Sequence, residues 1–364
     1  MQLNSLVKKS AANLKIDICQ ITDGNDLVEA RKILEQRVKS EYWPQPLTNQ
    51  NLDELTKPRL QLDNLNSIIV AAISYNNQGG NQYLSNYVTV LDYHNYLENK
   101  LEELVNNLKN KIDKDFNYKI FVDTAPFLER EVARKAGVGF IGKNTMLINP
   151  NFGSYLFLGE ILTDLKIKKD QPLINTCANC KICLENCEGD ALKKDYLLAA
   201  DDCISYLTQK KSLLTEENIK KINNHLWGCD ACQEKCPYNK NILTTNNKNL
   251  NFFNKNLSYF LNLKRKKIPA ELEKTAIVWR GNRILLRNAL IVAANLKKEQ
   301  YFDLIIDKLD DNSPIIRYYA AYALAKINFK RAKKIIKKQL IKEKDQFYQK
   351  KITEILEQEA ENEA

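Results

Sequence analysis

Along the first 60 residues the apolar positions fall at helical spacing. In DLVEARKILEQRV, residues 26–38, an apolar side chain recurs every third or fourth position. SIIVAAISY (67–75) is a short unbroken apolar run and predicts a buried strand. HNYLENKLEELVNNLKNKI (94–112) predicts an amphipathic helix, and YKIFVDTAP (118–126) a strand ending in a polar turn. Strands alternating with helices predict an α/β domain over residues 1–165. The polar stretch NKNILTTNNKNLN (239–251) reads as a linker, and every periodic segment beyond it is helical. There RILLRNALIVAAN (283–295) and SPIIRYYAAYALA (313–325) superimpose at a period of 30, Arg287 on Arg317, predicting HEAT-like helical repeats over 252–364. The acidic end, with Glu354, Glu357, Glu359, Glu361 and Glu363, predicts a frayed tail.

Composition narrows the class. The chain of 364 residues is 44% hydrophobic and 27% charged, ordinary for a globular protein with two or three domains. No apolar run reaches the roughly 18–20 residues that span a bilayer, and the N-terminus lacks the apolar core of a signal peptide. A cytoplasmic, monomeric protein with no membrane association is expected. The net charge of +10 lies wholly in the last third: residues 241–364 hold 25 Lys and Arg against 14 Asp and Glu. Such concentration suggests a polyanionic partner, nucleic acid above all, with a solvated lysine-rich surface as the plain alternative.

Eight of the nine cysteines lie between positions 177 and 236. CANCKICLENC carries Cys177, Cys180, Cys183 and Cys187 at C-x2-C-x2-C-x3-C. Cys203 follows, and CDACQEKCP adds Cys229, Cys232 and Cys236. Disulfides do not suit a chain without a signal peptide, and two structural zinc sites remain the competing donor chemistry. The tripled spacing is that of bacterial two-cluster ferredoxins, in which the fourth cysteine of the run serves the other cluster. It assigns Cys177, Cys180, Cys183 and Cys236 to one 4Fe–4S cluster, and Cys187, Cys203, Cys229 and Cys232 to a second. The resulting ferredoxin-type domain covers residues 166–240. Glu188 replaces the proline expected after Cys187, and Cys203 stands far from Cys229. Cys19, in an apolar context, reads as an ordinary buried thiol, and His225 as structural.

Five further segments, LDYHNYL (91–97), VDTAPFLEREVARKAGVGFIGKNTMLINPNFGSYLFLGEI (122–161), CISYLT (203–208), WGCDACQEKCPYN (227–239) and RGNRILLRNAL (280–290), closely resemble the epoxyqueuosine reductases. The resemblance implies a cobalamin-binding catalytic domain followed by the two clusters. It implies reduction of epoxyqueuosine to queuosine at the wobble position of tRNA, with electrons from an external low-potential donor. Asp123 matches the family's proton donor; burial under the corrinoid and substrate would raise its pKa. On the residues alone, Asp123 could equally cap the turn after a strand. Asp92 and His94 are further polar candidates, His94 being either a substrate contact or proton relay or simply the polar start of a helix. For the corrinoid the resemblance points to Ser85, Asp123, Leu147, Ser154, Leu158 and Ser205, of which Leu147 and Leu158 could also be plain core. No D-x-H-x-x-G signature supplies an axial histidine. For the tRNA anticodon stem-loop, Trp279, Arg280, Arg283 and Arg287 are the best-placed contacts, although Arg287 and Arg317, at one repeat position, could instead brace the stack. A corrinoid reductive dehalogenase, a ferredoxin-type electron carrier and a zinc-stabilised nucleic-acid binder are the alternatives.

Overall fold

The computed structural model describes residues 2–40, 42, 51–75, 81–243, 253–264 and 267–363. The chain forms two compact units whose boundaries interleave: residues 1–78, 90–203 and 230–252 make the first, and 79–89, 204–229 and 253–364 the second. The cysteine-rich segment is thus divided between both units. Of the expected linker, residues 244–251 lie outside the described residues.

In the first unit, helices α1 (Leu3–Asn13), α2 (Val28–Val38), α3 (Leu52–Thr56), α4 (Tyr93–Lys109) and α5 (Glu129–Ala136) accompany strands β1 (Ile18–Asp23), β2 (Ser67–Ser74), β3 (Tyr118–Phe121), β4 (Phe140–Ile141), β5 (Leu147–Ile148) and β6 (Leu156–Thr163). The main sheet has the order β1-β2-β6-β3, and every neighbouring pair is antiparallel. β4 and β5 form a separate hairpin. β2 is buried at all eight positions because it is flanked by strands on both edges and by apolar side chains on both faces. β6, the other central strand, alternates its faces. Gly159 faces α4, where a Cβ would come within 2.9 Å of Leu101 and 3.0 Å of Leu97. The absent side chain lets the Leu97–Leu101–Leu104–Leu108 stripe of α4 settle on the sheet. The next residue, Glu160, points to the opposite face, where Val132, Ala133 and Ala136 of α5 pack on Ile68, Val70 and Leu162. The cysteine segment in this unit adds α6 (Ile182–Glu185) and the pair β7 (Leu192–Lys194) and β8 (Leu197–Leu198).

The second unit is helical. It comprises α7 (Ile204–Gln209), α8 (Glu216–Ile222), α10 (Leu257–Leu261), α11 (Ala270–Glu273), α12 (Asn282–Leu296), α13 (Phe302–Ile306), α14 (Pro314–Ile327), α15 (Phe329–Leu340) and α16 (Gln346–Glu363); α9 (Ala231–Glu234) belongs to the first unit. α12 is apolar almost all round because α7, α8, α10 and α14 enclose it. The expected frayed tail is helical instead. Ile352, Ile355 and Leu356 of α16 are buried against α14, and Glu359 pairs with Lys326 at 2.6 Å.

Arg287 is a correction. Its side chain is fully buried, and its guanidinium donates to the carbonyls of Lys210 (2.6 Å), Thr208 (3.1 Å) and Leu207 (3.3 Å), and to Asn288 Oδ1 (2.9 Å). It satisfies carbonyls left open where α7 ends, so it has no donor to offer a phosphate. Arg317 braces elsewhere, donating twice to Glu343 (2.6 and 2.5 Å). Replacing Arg287 by methionine strands several buried carbonyls and should cost on the order of 3 kcal/mol in denaturant unfolding. Exposed Arg283→Ala should stay within about 0.5 kcal/mol of the parent.

Candidate active site

The sheet and α4 meet at one polar cluster. Asp92 caps α4, accepting the backbone N–H of His94 at 3.0 Å, and its same oxygen lies 2.7 Å from His94 Nδ1. His94 Nε2 stands 3.7 Å from Asp123 Oδ2. The neighbouring Tyr93 donates its hydroxyl to the same Asp123 oxygen. Tyr93 is held by stacking on Phe157 of β6, centroids 4.0 Å apart with rings 5° from parallel, and Phe157 stacks in turn on Tyr75 at 4.2 Å. The sheet thereby fixes a phenol and an imidazole against one carboxylate. Asp123, just beyond β3, takes a left-handed backbone with φ of 54°, a conformation aspartate tolerates better than most residues.

The expected rise in the Asp123 pKa is one that covering by corrinoid and substrate would bring; in the open site the electrostatics lower it. Burial pushes it up, but hydrogen bonding to His94 and Tyr93, with the charges of His94 and Arg130, more than offsets this and holds it below the usual carboxylate range. The side chain remains 59% exposed. The proton resides instead on His94, raised to about 9 by Asp123 and Asp92 against the effect of burial. Asp92 is lowered, chiefly by His94.

Behind Asp123 lie two carboxyls that the sequence reading passed over. Glu160 is completely buried, both its oxygens lack a hydrogen-bond partner, and so does buried Oε1 of Glu129. Burial first, then each other's charge and that of Asp123, raises Glu160 well above the ordinary carboxyl range. Burial and Asp123 lift Glu129 to about 7. The visible signal was a single acid inside the apolar run LFLGEILT. Tyr93, inside LDYHNYL, shows its part only through its contact with Asp123.

The candidate corrinoid contacts fare unequally. Asp123 and partly buried Leu158 keep accessible surface. Leu147 is buried in the sheet core, as its plain reading had it. Ser154 is buried, its hydroxyl donating to Gln233 Oε1 at 2.9 Å and accepting from Asn239 Nδ2 at 3.0 Å. That side chain ties the hairpin region to the last cysteines and is already committed. Ser85 and Ser205 belong to the second unit. Within the first unit, the fit to a corrinoid is therefore limited to Asp123 and the edge at Leu158.

The thiols of the first set lie near enough to influence one another. Burial raises Cys183 to about 11, with Cys177, Cys236 and Cys180 contributing next. Cys236 likewise senses Cys177 and Cys180. These four are the set that the spacing assigns to one cluster. Of the other set, Cys187 accepts the Ala191 N–H at 3.2 Å; Cys187, Cys203 and Cys232 lie in the first unit and Cys229 in the second. Among the described residues, no three His, Cys, Asp or Glu side chains are grouped so as to hold a metal ion. A polar groove of about 600 Å3, lined by Lys143, Thr176, Asn179, Lys181, Asp195 and Tyr196, lies beside the first cysteines rather than at Asp123. Cys19, expected to be buried, is partly buried, and desolvation raises its thiol to about 12.

Residues 56–124 match the family described as epoxyqueuosine reductase QueG, and residues 176–239 the 4Fe-4S double cluster binding domain. An epoxyqueuosine reductase of Lactococcus garvieae is 34% identical over 306 residues, covering 80% of this chain and 87% of that protein. The chain belongs to the epoxyqueuosine reductase family. The Bacillus anthracis member is 33% identical over 311 residues, 81% of this chain and 82% of its own. Two solved members of this oxidoreductase family extend the likeness to 98% of both chains. One, crystallised with a tRNA-Tyr epoxyqueuosine-modified stem loop, superimposes with a TM-score of 0.90 at 28% identity. Another, from Bacillus subtilis, has its catalytic aspartate loop swung out of the active site, with a TM-score of 0.89 at 27% identity. Among the described residues no helix is long and apolar enough to cross a membrane.

His94 links the site to stability. Its folded pKa exceeds the ordinary 6.5, so its contribution is fully present below about 6.5 and is lost as pH rises through about 9. The chain has only two histidines, so NMR can follow each. One imidazole should titrate near 9 and move down toward 6.5 in Asp123→Asn and in Asp92→Asn.

Proposed function

We propose that this epoxyqueuosine reductase removes the epoxide oxygen of epoxyqueuosine in a tRNA anticodon stem-loop at the wobble position, using two 4Fe–4S clusters, cobalamin and an external low-potential electron donor. The observation that carries the site assignment is the convergence of Tyr93, His94 and Asp123 at the end of the sheet. Balanced, the reaction takes the epoxide with two electrons and two protons to the alkene and water. A corrinoid, when bound, supplies a cobalt centre able to take two electrons and engage the strained ring. Two clusters would supply electrons one at a time; Cys177, Cys180, Cys183 and Cys236 would hold one, and Cys187, Cys203, Cys229 and Cys232 the other.

The chain's own residues handle the proton. In the open site His94 is the charged acid and Asp123 the carboxylate. Covering the pair with substrate removes water from both charges, and in lower dielectric the neutral pair gains on the ion pair. The proton then passes to Asp123, which gives it to the departing oxygen. Tyr93, donating to the same carboxylate, keeps that oxygen oriented. Asp92 holds the imidazole by Nδ1, leaving Nε2 toward Asp123.

For the RNA, exposed Trp279 carries the Arg280 guanidinium 3.7 Å from its ring centroid, beside exposed Arg283 at the start of α12. A cation stacked on an indole can receive a base on its face and a phosphate at its edge. Arg287 is withdrawn from this set. The helical stack behind, read as HEAT-like, carries the basic excess that suits a phosphate backbone. The dehalogenase and electron-carrier alternatives leave this basic helical unit or the Asp123 cluster without use.

Asp123→Asn, purified anaerobically with cobalamin, should keep about eight irons and one cobalt per chain, as two 4Fe–4S clusters and one corrinoid require. It should lose turnover by a factor of about 100 or more. Unchanged turnover removes Asp123 from the chemistry, and zinc in place of iron removes the electron path. Arg283→Ala should weaken stem-loop binding and lower the salt slope by about one unit; an unchanged slope places the phosphate contacts elsewhere.

A further inference from the structure

Glu160 stands mid-strand in an apolar layer where a charge is costly, completely buried, with neither oxygen hydrogen-bonded. Glu129, first residue of α5, turns its own unpartnered, buried Oε1 into the same region. Each carboxyl lies close enough to act on the other, and the backbone N–H groups of Asp123 and Ala125 approach the Glu129 carboxylate. Apolar side chains of similar size would pack this layer more cheaply. The two acids stand between the sheet core and a loop that carries Asp123 in a left-handed turn. In a related structure the corresponding catalytic aspartate loop is swung out of the active site, so the family's loop has more than one position.

Resting on the epoxide-reduction reading above, we propose that Glu129 and Glu160 are positioning residues: a carboxyl pair sharing a proton that holds the Asp123 loop in place and sets the proton affinity of Asp123. Glu160 is the neutral member, since no donor compensates its charge. Its proton lets Glu129 approach as an anion without two like charges meeting in the apolar layer. The nearby amides of Asp123 and Ala125 favour the Glu129 charge, and that charge opposes ionisation of Asp123. Other charged groups facing the pair are few. Arg130 acts on Asp123, and His94 meets Asp123 from α4. On the rest of α5, Arg134 pairs with Glu131, and Lys135 with Asp23 at the end of β1. β2 carries no ionisable side chain, and Lys119 of β3 is exposed.

The test uses the full chain carrying its cofactors, with Glu160→Gln and Glu129→Gln as variants. Hydrogen exchange of residues 122–126, corrected for intrinsic rates across pH 5.5–8.5, reads the loop without any turnover. In the parent, protection should step up near pH 7 as Glu129 ionises. In Glu160→Gln that step should move to higher pH, because Glu129 loses the acid that favours its charge, and in Glu129→Gln it should vanish, with loop exchange about tenfold faster above pH 7. The alkaline limb of turnover on a modified stem-loop should shift to lower pH in Glu129→Gln, because Asp123 loses a neighbouring negative charge that opposed its ionisation. Exchange and pH profiles that superimpose on the parent in both variants overturn the proposal. If Glu129→Gln does not fold, isosteric Glu160→Gln decides alone by the same step. A parent that shows the protection step but no deoxygenation supports the positioning pair and refutes the functional reading, which separates the two.

Discussion

Everything in the first unit bears on where one carboxylate sits. Asp123 follows β3, the edge strand, and nothing in β3 itself fixes the turn beyond it. Position comes from neighbours: Phe157 of central β6 stacks on Tyr93, Tyr93 donates to Asp123, and Asp92 aims His94 at the same oxygen. Gly159 is the quiet requirement of this arrangement. A side chain there would crowd Leu97 and Leu101 of α4, the helix that begins with Tyr93 and His94, and those leucines would have to shift. Steric closeness on one face of β6 and a buried acid on the other thus serve the same end.

The charge arrangement divides the work between the units. The first holds paired acids and thiols, groups that need burial and neighbours to be useful. The second holds the basic excess and commits two arginines, buried Arg287 and partly buried Arg317, to structure. Arg287 satisfies helix carbonyls and Arg317 holds Glu343, so only the exposed arginines and lysines remain for a polyanion. Counting basic residues overstates that surface unless those spent internally are removed.

Much of the architecture was legible in the chain. The strand at 67–75, the helix after Asp92 and the apolar helices at 283–295 and 313–325 stand where periodicity put them. The cysteine spacing named its chemistry, which the double-cluster match bears out. Other features needed three dimensions. The antiparallel order β1-β2-β6-β3 is invisible to local pattern, because alternation of helix and strand does not say which strands pair. Arg287 and Arg317 align in sequence yet bind different partners, since only packing shows whether an arginine reaches water. Ser154 looked available until Gln233 and Asn239 were seen to occupy it. The acidic tail looked disordered by charge, but its apolar stripe at Ile352, Ile355 and Leu356 sufficed to dock it. Asp123 was placed by motif; its proton state depends on Tyr93 and His94, which a linear reading cannot orient.

The central claim is that this chain takes an oxygen atom from a modified nucleoside in tRNA. Its most direct test is mass spectrometry of an epoxyqueuosine-bearing stem-loop after incubation with the anaerobically purified protein, cobalamin and a low-potential reductant. The account predicts a nucleoside lighter by one oxygen atom, formed only when protein and reductant are both present. An unchanged nucleoside in the presence of protein with full iron and cobalt content would contradict it.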